Sequence, residues 1–166
     1  GGRSYDLFNP ARPDELVGHA ALASINDVDT AVQSAHDAFA AWSRKSYAER
    51  AILLNRIADA LNADEDEINR RSRIFCREHG KILFETKLEL TRLSDRFRSV
   101  ANYADSLAQD KKEYGPPFDT IITRQPRGVA ALIVPWNWPI SILGAKLPQA
   151  LMAGNTVVVK TSQSSA

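Results

Sequence analysis

Gly128-Val-Ala-Ala-Leu-Ile-Val-Pro-Trp-Asn-Trp-Pro-Ile140, followed by Lys146-Leu-Pro-Gln-Ala-Leu-Met-Ala-Gly154 and Asn155-Thr-Val-Val-Val-Lys-Thr-Ser162, decides the fold. Residues 129 to 134 are an unbroken apolar run, as expected of a strand covered on both faces of a parallel sheet. Pro135 and Pro139 bracket a turn, because each restricts the residue before it. From Pro139 to Ala153 the composition suits a helix, with Pro139 in its first turn and Gly154 as its stop. Thr156 to Val159 is a second β-branched run, so the whole reads as a βαβ unit of right-handed crossover. In such units ligands sit beyond the carboxyl ends of the strands. Here those ends carry Pro135-Trp136-Asn137 and Lys160-Thr161-Ser162-Gln163, which bring an amide, a cation and two hydroxyls to one edge.

This stretch, from Val-Pro-Trp-Asn-Trp-Pro to Val-Val-Val-Lys-Thr-Ser, resembles the N-terminal part of the NAD(P)-dependent aldehyde dehydrogenase superfamily. The resemblance is strong from Pro126 onward. Before Gly80 it is weaker, resting on Phe8-Asn-Pro-Ala11 and on Glu78-His79-Gly80-Lys81. It implies an α/β fold: a helical N-terminal layer with an initial hairpin, leading into the first βαβ of a Rossmann-like sheet. It divides the chain into residues 1–110, a β-extension at 111–126 that joins subunits, and the start of the NAD(P)-binding sheet at 127–166. The catalytic domain would be absent from these residues.

Composition bounds the alternatives. The 166 residues are 44% apolar and 25% charged, enough for a real core. Twenty-one bases face 20 acids, so nothing points to nucleic acid or an anionic membrane. No apolar run approaches a membrane span, and no signal-peptide pattern opens the chain. A single cysteine, Cys76, fits a reducing, cytoplasmic setting. The ends look unusual, with a strand-like start straight after Gly1-Gly2-Arg3 and no helix after the last strand. The chain reads as the front piece of a larger protein.

In order, Ser4 to Asn9 and Leu16 to Ala21 are strand candidates joined by turn formers. A helix follows, with Asn26 or Asp27 as its N-cap and Val28, Val32, Ala35, Phe39 and Trp42 on one face. Ser46 and Glu49 form a capping box for the next helix, whose buried stripe is Leu54, Ile57, Ala58 and Leu61. Asp64 opens a third helix that Gly80 stops. Its Arg70, Arg71, Arg73 and Arg77 sit among acids and read as a solvated face in preference to a phosphate patch. Phe84, Leu88, Phe97, Val100, Ala104 and Leu107 mark one long helix, and Phe118 to Arg124 alternates as a strand.

Asn137 is the sharpest candidate. Carbonyl oxidation through a thiohemiacetal needs a donor aimed at a developing oxyanion. Spacing alone slightly favours an Asn that only satisfies turn backbone, whereas the resemblance implies the oxyanion role. The resemblance further implies a cofactor surface, for NAD or NADP, of Ile133, Val134, Pro135, Trp136, Lys160, Ser162 and Gln163. It places Trp138 in the aldehyde tunnel and Lys146 in a proton relay; a solvent-facing lysine is the other reading of Lys146. Gln163 stands where many NAD-preferring members carry Glu, so it does not repel a 2′-phosphate. Cys76 with His79 at helical spacing suggests a dyad, but the helix supplies no pocket, and no second pair completes a zinc site. Cys76 is therefore read as structural, and the nucleophilic Cys and general-base Glu are expected downstream of Ala166. The full-length enzyme would oxidise an aldehyde to the acid, as a homodimer or homotetramer. The rival expectation is a non-catalytic module that only folds, pairs or binds nucleotide weakly.

Overall fold

A computed structural model of the protein describes residues 2–164. β1 (Arg3–Asn9) and β2 (Arg12–Leu22) pair antiparallel as the expected hairpin, with an irregular register near Phe8. α1 (Ile25–Ser43) starts earlier in the chain than Asn26 or Asp27 would set it: Ser24 is its N-cap. The reason is a capping box, in which the Ser24 side chain and backbone exchange hydrogen bonds with Asp27. α2 (Tyr47–Leu61) carries the second box, Ser46 with Glu49, as the sequence predicts.

α3 (Glu65–His79) is capped by Asp64 and ends where Gly80 turns left-handed, at φ 70°. A Cβ on Gly80 would lie 2.8 Å from Pro10 Cγ, so glycine here serves both the turn and the packing of the hairpin on α3. On the outer face of α3, Arg70 and Arg71 pair with Glu67, whose carboxyl they hold down at about 2. Arg77 reaches Glu15 of the hairpin at 2.7 Å.

The expected long helix is two: α4 (Leu83–Ala101) and the single turn α5 (Ala104–Leu107). Phe97, Val100, Ala101 and Ala104 enter the core with Leu54 and Ala58 of α2, but Phe84 is exposed. Ile57 also lies outside the buried stripe of Leu54 and Ala58 and is exposed. Leu54 and Phe97, each wholly buried, contribute about 1.5–3 kcal/mol apiece. β3 (Lys111–Glu113) and β4 (Thr120–Ile122) form an exposed antiparallel ribbon.

β5 (Val129–Ile133) and β6 (Thr156–Lys160) pair in parallel, Val129 opposite Thr156 and Ile133 opposite Lys160. Of the apolar run, only Leu132 and Val134 are fully buried; Ile133 is exposed, so the strand is covered on one face among the described residues. The crossover is helical but broken into α6 (Pro139–Gly144) and α7 (Leu147–Met152). Pro148 explains the break: it lacks an N–H and its ring excludes the preceding turn. Pro148 and Met152 are buried, and Met152 joins the α2–α4 core. Small residues of α1, Ala31, Ser34, Ala35 and Ala38, face β6 across an open groove, while Val28 and Val32 stay exposed. The fold is thus α/β, a helical layer with its hairpin leading into a parallel βαβ.

Candidate functional site

The site forms where β5 and β6 end. Val134 extends the pairing by donating its N–H to the Lys160 carbonyl at 3.1 Å. The chain then leaves the sheet through Pro135, Trp136 and Asn137, all exposed, before Pro139 starts α6 with its ring buried. Trp136 stands 62% exposed beside Asn137. Among the described residues, nothing bonds the Asn137 side-chain amide. Its backbone is differently placed: the Asn137 carbonyl accepts a 2.9 Å hydrogen bond from Lys81 Nζ.

Lys81 is the residue that sequence reasoning missed. It follows the left-handed Gly80, which turns it inward from the end of α3. Its ammonium binds Glu89 Oε1 on α4 and stands 3.7 Å from the centre of the Trp138 ring. Glu89 has a wholly buried side chain, and its second oxygen accepts the Ser141 N–H at 2.9 Å. Ser141 lies in the first turn of α6, where N–H groups lack helical partners and Trp138 offers no side-chain cap. A carboxylate there satisfies a free donor and faces the positive end of the local peptide dipoles. Removing one member of such a buried pair strands the other charge, at a typical cost of ~3–5 kcal/mol. A lysine in the turn after α3 and a glutamate inside α4 carry no local sequence signal of pairing. The only hint was the Gly80-Lys81 turn.

Lys146 lies at the break between α6 and α7. Its side chain is exposed and reaches back, with Nζ donating to the Ile133 carbonyl at 3.1 Å. The structure therefore brings Ile133, Val134, Lys146 and Lys160 together at the strand ends. Lys160 Nζ itself donates to the Thr161 carbonyl at 2.9 Å. Ser162 Oγ accepts from Ser164 N, and the Gln163 carbonyl accepts from Tyr5 OH of β1 at 3.0 Å. The Gln163 side chain is exposed, so hairpin and sheet edge meet behind an open amide. An exposed cation, a hydroxyl and an amide on one sheet edge are a donor set suited to ribose hydroxyls and phosphate.

Cys76 stands apart. Its thiol donates to the Lys81 carbonyl at 2.8 Å, not to His79. Both nitrogens of His79 are buried without partners, its ring meets Phe75 edge-on, and burial lowers its pKa, with the Lys81 charge adding to the shift. The two side chains do not form a nucleophile–base pair.

The model of the aldehyde dehydrogenase family matches residues 1–166. An alpha-ketoglutarate semialdehyde dehydrogenase of Haloferax volcanii is 38% identical, covering 96% of this chain and 33% of that protein. A D-glyceraldehyde dehydrogenase (NADP(+)) of Thermoplasma acidophilum is 30% identical, covering 97% of this chain and 32% of that protein. The crystal structure of PnpE in complex with nicotinamide adenine dinucleotide is similar at a TM-score of 0.83 and 33% identity, over 96% of this chain and 32% of that one. The chain spans about a third of the length of the relatives it matches.

Proposed function

The chain belongs to the aldehyde dehydrogenase family, and from that premise we propose that it is the N-terminal portion of an enzyme that oxidises an aldehyde to a carboxylic acid with NAD(P)⁺. The observation that carries the reading is the Asn137 turn. An exposed amide stands at the carboxyl ends of two parallel strands while its backbone is held from behind by Lys81.

In this reading NAD(P)⁺, when bound, supplies the hydride acceptor. Lys160, Ser162 and Gln163 hold its ribose, and Ile133, Val134, Pro135 and Trp136 form the wall along it. The donor set fits either cofactor, since Gln163 accepts from a ribose hydroxyl without repelling a 2′-phosphate. Likeness to an NAD-bound structure and to an NADP(+) enzyme supports both. Asn137 Nδ2 donates to the carbonyl oxygen as a nucleophilic thiolate adds to the aldehyde carbon. Trp138 lines the aldehyde's approach. Lys146, tethered at the Ile133 carbonyl, is the proton carrier of this scheme. The thiolate and a carboxylate base come from residues outside 1–166, because Cys76 is engaged with the Lys81 carbonyl.

Residues 111–126 are assigned to subunit pairing in a homodimer or homotetramer. Tyr114, Phe118, Ile121 and Ile122 are exposed there, which supports a surface awaiting a partner. No helix among the described residues is long and apolar enough to cross a membrane. The lone cysteine fits a reducing, cytoplasmic setting.

Asn137→Ala in the complete enzyme tests the reading. Turnover should fall ~10²-fold or more while the cofactor dissociation constant, from fluorescence titration, stays near wild type. Near wild-type turnover in a folded variant rules the oxyanion role out.

A further inference from the structure

We propose that Lys81 and Glu89 are positioning residues that set the aim of the Asn137 amide. The proposal rests on the oxyanion reading of Asn137 and adds the device that holds it. Three separate contacts converge on the residues around Asn137. Lys81 Nζ donates to the Asn137 carbonyl itself. The same ammonium lies over the indole of the next residue, Trp138. Glu89, bound to that ammonium through one oxygen, takes the Ser141 N–H through the other. The turn is thereby fixed before, at and after the point where α6 begins.

Sequence gives the turn little else to hold it. Pro135 and Pro139 contribute no N–H groups. Trp138 provides no side-chain cap, and the Asn137 side chain is bonded to nothing among the described residues. An amide on such a turn takes its direction from the backbone beneath it. A displacement of about 1 Å at a reacting centre costs ~10²-fold in rate, so the anchor matters to catalysis although it touches neither substrate nor cofactor. Glu89 is shut off from water and the Lys81 side chain is only 12% exposed, so each charge needs the other and removing one strands its partner. The bland alternative is a bridge that merely joins α3 and α4 to α6. It predicts loss of stability without a specific effect on turnover.

A double-mutant cycle on the complete enzyme separates the two. Lys81→Met, Asn137→Ala and the double variant are compared by kcat, by KM for aldehyde and cofactor, and by circular dichroism. The proposal expects Lys81→Met to lower kcat by about tenfold or more with the cofactor KM little changed. The double variant should be no slower than Asn137→Ala alone, because an anchor has nothing to aim once the amide is gone. Losses that multiply in the double variant, or an unaltered kcat in Lys81→Met, overturn the proposal and leave the oxyanion reading standing. Near wild-type turnover in Asn137→Ala overturns the oxyanion reading, and the proposal with it. Should Lys81→Met not fold, Lys81→Arg and Glu89→Gln enter the same cycle. Arginine keeps the charge and should restore most of kcat, and Glu89→Gln should show the same non-additivity with Asn137→Ala. Failure of both expectations also overturns it.

Discussion

The indole Nε1 of Trp42, near the end of α1, donates a 3.0 Å hydrogen bond to the Leu151 carbonyl in α7. The first helix is thereby fastened to the crossover that leads from the Asn137 turn to β6. Leu151 also packs against the α2–α4 core, so the bond lies at the joint of helical layer and sheet.

Trp42→Phe deletes the donor together with part of the packed ring. The Leu151 carbonyl keeps its 3.0 Å bond from Gly154 N, so what is lost is one ordinary hydrogen bond, about 0.5–1.5 kcal/mol. The bond is part-buried and some ring contact goes with it, so a loss of about 1 kcal/mol is expected. Urea unfolding of the complete protein at fixed concentration measures it, and an unchanged midpoint contradicts it.

Gly154→Ala should be much more damaging than Gly18→Ala. Gly154 has φ 89°, where a Cβ costs about 1–2 kcal/mol. Its Cβ would also fall 1.9 Å from Nη1 of Arg50, a residue only 4% exposed whose guanidinium lies over the Tyr47 ring. A loss of about 2 kcal/mol or more is expected. Gly18 has open space where the Cβ would go, and its variant should stay within about 0.5 kcal/mol. Thermal unfolding of the two variants side by side decides.

The pH dependence of stability should carry a His79 component. Burial holds the folded-state pKa of His79 below its ordinary 6.5. Below that value the unfolded chain takes up a proton that the folded chain resists, so the unfolded state gains. Stability is therefore full above about pH 6.5 and declines as pH falls below it. His79→Phe should flatten this decline between pH 7.5 and 5.5, as read from denaturant midpoints. An equal slope in both proteins would count against the buried neutral imidazole.

Gln163→Glu should shift cofactor preference in the complete enzyme towards NAD⁺. The Gln163 backbone is anchored by Tyr5, leaving the side chain exposed at the strand end. A carboxylate there repels a 2′-phosphate by of order one to a few kcal/mol, roughly tenfold or more in the ratio of kcat/KM values. A ratio that does not move means the preference is set elsewhere.

Much of this architecture was legible because it rests on local chemistry. Ser46 and Glu49 announce α2 by their spacing, and Gly80 announces the end of α3. The Ser24-Ile-Asn-Asp27 box was equally local, but competing Asn and Asp cap candidates masked it. The break between α6 and α7 was missed: residues 139 to 153 read as one helix, although a helix interior rarely accepts a proline such as Pro148. The strand ends were legible because β-branched runs bracket them. What could not be read was the Lys81–Glu89 pair. Its members lie 8 residues apart, and Lys81 meets Asn137 across 56. On a sequence, a lysine in a turn and a glutamate in a helix look like solvated charges; only tertiary packing turns them inward. The β3–β4 ribbon was half visible, because Lys111–Glu113 carries no strand-forming composition of its own.

The Trp42–Leu151 bond also has a consequence for biosynthesis. The two residues are 109 apart, and β6, which α1 faces, emerges later still. At roughly 5–20 residues per second, the ribosome needs about 5–20 s to deliver Leu151 after Trp42. During that interval α1 has its capping box but not its docking surface, and Ala31, Ala35 and Ala38 have no strand to face. The nascent helix must wait for its seat, and that wait is when the chain is most open to chaperones.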